Sequence, residues 1–179
     1  MLQVKNLFVD LGGFRLTADF EIERGSLISI VGPSGAGKST ILNALAGFIP
    51  LTSGVIKWNG SDITKLDPGL RPLSILFQDY NLFSHLTVKD NIAIGLRPNL
   101  KLDDLETEMV NSVIEEVGLS KFKFIKPFQL SGGQRTRVSL ARSIVRSKPI
   151  LLLDEAFSGL GPALRSEMIK LIKDKSIKE

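Results

Sequence analysis

Apolar and polar positions alternate along this chain in three distinct rhythms, and each predicts a different kind of element. Two runs are almost continuously apolar, SLISIVG at 26–32 and the ILLL of KPILLLDE at 148–155. Each predicts a short strand buried on both faces. PLSILFQ at 72–78 predicts a third. In GVIKWNGSDI the residues Val55 and Lys57 alternate with Ile56 and Trp58 up to Asn59-Gly60, the dipeptide that best fits a two-residue hairpin turn.

Helical spacing takes over elsewhere. KSTILNALAG predicts a helix from Lys38 with Ile41, Leu42 and Leu45 on one face and Gly47 as its stop. Between Thr87 and Gly118, Leu102, Leu105, Met109, Val113 and Val117 recur at three and four residues, with Asp103 or Asp104 as the start and Gly118 after the end. GQRTRVSLARSIVRS predicts a helix that buries Val138, Ala141 and Val145 and exposes its arginines. PALRSEMIKLIKDKS predicts another, with Pro162 at the first helical position and Leu164, Met168 and Leu171 inward. Strands first, a helical middle, then strand and helix imply an α/β fold of one domain, 1–179. Its α/β core would be 1–80 and 149–179, and a helical lobe of about 81–148 would be inserted in it.

Composition narrows the partners. Of 179 residues 43% are hydrophobic, enough for one domain with a sizeable core. The net charge of +4 is spread without a block of like charges, and the most basic stretch, KLIKDKSIKE, mixes signs as a solvated helix face does. Nucleic acid is therefore not an expected partner. The absence of cysteine excludes disulfides and thiolate metal sites. MLQVKNLFVD lacks the apolar centre of a signal peptide, and no apolar run reaches the length of a membrane span, so any membrane role is expected to be peripheral.

Chemistry enters at GPSGAGKST, residues Gly32, Pro33, Ser34, Gly35, Ala36, Gly37, Lys38, Ser39 and Thr40. Glycine, four residues, then Gly-Lys-Ser between an apolar run and a helix is the phosphate-loop pattern. Its backbone N–H groups turn inward round an anion, and the helix adds its positive end. Lys38 would reach terminal phosphates and Ser39 would ligate magnesium. Asp154 and Glu155 follow the ILLL run, at the strand end where open α/β sheets hold ligands. Asp154 would hold the magnesium through water, and Glu155 would orient or deprotonate an attacking water.

LSGGQ, residues Leu130, Ser131, Gly132, Gly133 and Gln134, opens the arginine-bearing helix. Here the chain resembles the ATP-binding subunits of ABC transporters, whose signature is this pentapeptide. The resemblance covers essentially the whole chain. It implies a phosphate-loop NTPase core with an inserted helical lobe, ATP and Mg²⁺ as ligands, and ATP hydrolysis coupled to transport. It also implies a homodimer in which Ser131, Gly132, Gly133 and Gln134 meet the nucleotide held by the other subunit. Gln78 falls at the family's Gln-loop position, reaching the magnesium and the attacking water. LAGFIPLTSG, RPLSILFQDYNLFSHLTVKDNIAIGL and FSGLGPALRSEM look most like the ATPase subunit of bacterial thiamine importers. That likeness implies permease subunits as partners, a periplasmic binding protein as an indirect one, and a peripheral place on the cytoplasmic face of the inner membrane.

Four departures from the family pattern stand out. Val9 and Leu11 occupy the place of the aromatic that stacks on adenine, leaving Phe8 or Phe14 to supply that face. Ala156 replaces a proline, and Gly161 replaces an aspartate at a helix N-cap. The family also continues into a further strand carrying a histidine, a role that His85 does not fill by motif. On this ground the chain is expected to be incomplete at its C-terminus, with central strands left unpaired and apolar sides exposed. The alternative to a transport ATPase is a truncated nucleotide-binding or interaction protein without turnover.

Overall fold

The computed structural model describes residues 1–77 and 79–176, which form two compact units. The first holds residues 1–73 and the end of the last helix. Strand β1 (Leu2–Asp10) lies between β2 (Arg15–Ile22) and β3 (Ser53–Trp58), and β4 (Ser61–Asp62) completes an antiparallel sheet of order β2-β1-β3-β4. Sequence patterning does not anticipate β1, because its period is broken: Leu2 and Val4 are buried, then Leu7 and Val9. A bulge accounts for the phase change. Asn6 sits at φ 47°, and the register shifts there against both neighbours. The expected hairpin is present, with Asn59 at φ 47° and Gly60 at φ 84°, the left-handed pair that a type I′ turn requires.

Helix α1 (Lys38–Ala46) buries Ile41, Ala44, Leu45 and Ala46. It ends at Gly47, φ 87°, whose N–H donates to the Ala44 and Asn43 carbonyls. The run before it departs from expectation. Residues 26–32 join no strand ladder, and Leu27, Ile28, Ile30 and Val31 are exposed by 56%, 59%, 43% and 89%. An apolar run becomes a buried strand only where neighbours satisfy its backbone and cover its faces, and none of the described residues does so here.

The second unit, residues 74–171, contains α2 (Val88–Ala93), α3 (Asp104–Glu116) and α4 (Gly132–Val145). They close on a core that includes Val88, Ile92, Val110, Ile114, Val138 and Val145. Thr87 caps α2, and Asp103 caps α3 in a reciprocal box with Glu106. Val110, Val113, Ile114 and Val117 form the inward stripe of α3 and its cap. Leu105, expected inward, is 67% exposed, since five residues place it roughly 140° round the helix from Val110. The arginines of α4 are half-buried rather than exposed: Arg137 donates to the Val117 carbonyl at 3.1 Å and pairs with Glu167 at 3.4 Å.

Strands β5 (Leu73–Leu76) and β6 (Ile150–Leu153) form a two-stranded sheet. Of β6 only Leu152 is fully buried, so the strand is half-covered where burial on both faces is expected. One partner strand covers one edge and little of either face. Helix α5 (Pro162–Ser176) begins at Pro162 as anticipated and buries Met168 and Ile172.

Candidate nucleotide site

Gly32–Thr40 lies in the first unit. Gly35 at φ 79° and Gly37 at φ 92° turn the loop back on itself, and Gly37 is the left-handed residue from which α1 starts. A side chain there is barred twice. The backbone disfavours it, and a Cβ would stand 2.7 Å from Phe14 Cζ and 3.2 Å from Leu16 Cδ1. Ala36 N–H donates to the Pro33 carbonyl at 3.2 Å, closing the turn. Lys38 curls over it: Nζ donates to the carbonyls of Gly32 at 2.9 Å and Pro33 at 2.8 Å. An ammonium held by two neutral carbonyls is poised to exchange them for a charged phosphate oxygen, a stronger partner. Ser34 is exposed in the loop, while Ser39 and Thr40 lie in the first turn of α1.

Of the two rings left open for adenine, Phe14 is the one beside the loop, its edge against Gly37. Phe8 lies within β1, opposite Thr17 and Ser53.

Sequence inspection gives no hint of Arg71. Only 3% exposed, it donates from Nη1 to the carbonyls of Ala44 at 3.0 Å and Leu45 at 2.6 Å. Its Nε reaches Leu66 O at 3.0 Å and its Nη2 reaches Thr64 O at 2.7 Å. A cation thus closes the C-terminal, negative end of the helix whose N-terminal end follows the phosphate loop. Burial holds its pKa below the ordinary arginine value.

The second unit carries the remaining expected residues. Ser131 is the N-cap of α4. Its Oγ accepts from Gln134 N–H at 3.3 Å, and Gln134 Oε1 accepts from Ser131 N–H at 2.8 Å. The cap uses a lone pair of the hydroxyl and leaves its hydrogen able to donate. Gly132 and Gly133 form the first turn behind it, where a Cβ on Gly133 would meet Leu164 Cδ2 at 2.8 Å. Asp154 follows β6, its N–H donating to the Leu76 carbonyl at 3.0 Å. Glu155 is exposed at φ 46°, a left-handed conformation that L residues adopt rarely. Gln78 lies outside the described residues.

Among the described residues, no group of three or more His, Cys, Asp or Glu side chains could hold a metal ion. The expected donors are instead a serine hydroxyl, an aspartate and a glutamine amide. An all-oxygen set with few charges suits Mg²⁺, which completes its shell with water and substrate phosphates.

Comparison with known proteins gives the family. The family model described as ABC transporter matches residues 17–158. A thiamine import ATP-binding protein, ThiQ, of Histophilus somni is 52% identical over 179 residues, covering 100% of this chain and 83% of that protein. The ThiQ of a Ruegeria species is 48% identical over 174 residues, covering 97% of this chain and 75% of its own. The Escherichia coli O157:H7 protein of the same name is 52% identical over 151 residues, 84% of this chain and 65% of that one. A family match over most of the length and relatives about half identical across nearly the whole chain show that the chain belongs to the ABC transporter family, in the group of its ATP-binding ATPases.

Proposed function

We propose that the chain binds MgATP on Gly32–Thr40 and hydrolyses it to drive solute import, with thiamine as the solute indicated by the names of its relatives. The observation that carries this reading is the folded phosphate loop, with Lys38 Nζ resting on the Gly32 and Pro33 carbonyls at 2.9 and 2.8 Å. On binding, Lys38 leaves those carbonyls for phosphate oxygens, and the loop N–H groups take up the remaining charge. Phe14 offers its ring to adenine. Ser39, Asp154 and Gln78 are the proposed magnesium ligands, Asp154 through water; the ion neutralises charge on the phosphates. Gln78 also positions the attacking water, and Glu155 accepts its proton.

In a homodimer, Ser131 donates its hydroxyl hydrogen to the nucleotide held by the other copy, with the N–H groups of Gly132 and Gly133 behind it and Gln134 fixing the cap. Transmembrane permease subunits would receive the motion, and a periplasmic binding protein would deliver the solute. No helix among the described residues is long and apolar enough to cross a membrane, so membrane subunits would hold the ATPase at the cytoplasmic face of the inner membrane. Glu155→Gln tests the chemistry. Magnesium-dependent ATP turnover should fall by about a hundredfold or more while ATP binding is retained. A variant as active as the unsubstituted protein would remove Glu155 from the role.

A further inference from the structure

Between Glu116 and Asp154 the chain carries no acidic residue. Within that stretch the loop from α3 to α4 reads KFKFIKPF, residues 121–128, and its side chains sort into two sets. Phe122 and Ile125 pack against the core of the second unit, and Pro127 is buried. Phe124 and Phe128 are instead 75% and 71% exposed, and Lys121 and Lys126 are exposed with them. Lys123 lies over the Phe124 ring, its Nζ 5.4 Å from the centroid. Backbone hydrogen bonds hold the loop in this arrangement. Lys123 O accepts from Lys89 N–H and Ile125 O from Val88 N–H, both at 2.9 Å, and Ile125 N–H donates to Phe122 O at 2.9 Å. Around Phe128, Gln129 N–H donates to Lys126 O at 3.0 Å and Leu130 N–H to Pro127 O at 3.1 Å. Two phenyl rings are thus kept in water by a backbone pinned on both sides of each. The acids closest along the flanking helices are Asp90 of α2, which accepts from the Thr87 hydroxyl at 2.6 Å, and Glu115 and Glu116 at the end of α3.

We propose that residues 121–128 form a docking surface for an anionic lipid bilayer, with Phe124 and Phe128 entering the interface and Lys121, Lys123 and Lys126 lying among the headgroups. Phenyl rings gain by leaving water for the acyl boundary, and a lysine keeps its ammonium in the headgroup layer while its aliphatic stem follows the rings. Each cation near an anionic surface raises the affinity by about fivefold. The choice of cation separates a bilayer from a protein partner. Protein interfaces share the enrichment in aromatics but favour arginine and deplete lysine, and this loop holds three lysines and no arginine. A strongly hydrated point charge suits a fluid field of headgroups, which fixes no bidentate geometry. The contact needs no nucleotide, so it stands apart from the ATPase reading.

Flotation of the 179-residue chain with vesicles of equal parts phosphatidylglycerol and phosphatidylcholine, beside vesicles of phosphatidylcholine alone, tests the surface. The chain should float with the anionic vesicles at low salt and bind the neutral ones about tenfold less well or weaker. Its binding should weaken in about 1 M NaCl, where the screening length falls to about 3 Å. Phe124→Ser combined with Phe128→Ser should lower the partitioning by about tenfold or more, and Lys121→Gln combined with Lys126→Gln by a similar factor. All four side chains are exposed, so the helical circular dichroism should be retained in both. Equal binding to neutral and anionic vesicles would overturn the proposal. Absence of flotation with either would also overturn it and leave the rings to a protein partner. Flotation undiminished in either double variant would overturn it by assigning the binding to another surface, the exposed Leu27–Val31 run first among them. Should the serine pair not fold, the lysine pair decides alone.

Discussion

Two apolar runs that both read as strands, Ser26–Val31 and Ile150–Leu153, meet opposite fates in this molecule. The second pairs with Leu73–Leu76, buries Leu152 and carries the backbone of Asp154 onto the Leu76 carbonyl. The first forms no ladder and leaves four large aliphatic side chains in water. The first run carries two serines and the second none, but the difference that decides the fold is partnership: an apolar run supplies the free energy for a strand, and a neighbour must supply the hydrogen bonds and the covering surface. The phosphate loop nevertheless keeps its turn, because α1 behind it is secured separately. Its buried residues, the Gly47 cap and Arg71 hold it from the other end.

That division of labour can be broken at its strongest point. Arg71→Met should strand the carbonyls of Ala44, Leu45, Thr64 and Leu66 and destabilise the first unit by about 3 kcal/mol or more. Denaturant unfolding followed at Trp58, which lies in that unit, measures the loss. A change below about 1 kcal/mol would show that the apolar contacts of α1 suffice without the guanidinium. A matched pair of substitutions then addresses the two runs directly. Leu152→Ala should cost about 2–5 kcal/mol, whereas Ile30→Ala, on the exposed run, should stay within about 0.5 kcal/mol. Equal costs in chemical denaturation would mean that the first run is covered in solution after all.

Much of this arrangement was legible before the structure. Asn59-Gly60 marks a turn through its own backbone preference, and Gly47 and Pro162 mark helix ends; these are local signals, and the turn and both helix ends are found in place. The failures share a non-local cause. SLISIVG needed partners from elsewhere, and β1 was hidden because one bulge at Asn6 shifts its alternation by a residue. Leu105 fits a three-and-four spacing over a few residues but drifts off the stripe set by Val110 and Val113. The contacts of Arg71 with the Ala44 carbonyl and of Arg142 with the Tyr80 carbonyl are tertiary features, joining residues 27 and 62 positions apart. No residue pattern announces such a meeting.

The smallest predicted effect lies at the edge of the first sheet. Hydrogen bonds from the Thr64 side chain and backbone hold Asp62 below its ordinary pKa of 3.8, helped by Lys57 and Lys65. A carboxylate whose folded pKa is depressed contributes stability above the ordinary value and loses it as pH falls through the folded one. Asp62→Asn should therefore be slightly less stable than the parent at neutral pH, with the gap closing below pH 3.8. A gap that persists in acid would assign the effect to the hydrogen bonds alone. Because the group is fully exposed, the measurement serves to show how little an unburied pair adds beside Arg71.

The central claim is that Gly32–Thr40 is a working nucleotide site although the run before it is unpaired. Isothermal titration of the 179-residue chain with MgATP, beside Lys38→Ala, tests it most directly. Saturable binding by the parent and a loss of about a hundredfold or more in the variant, from removal of a charged phosphate partner, is the predicted result. Binding of the same affinity in both, or in neither, would contradict it.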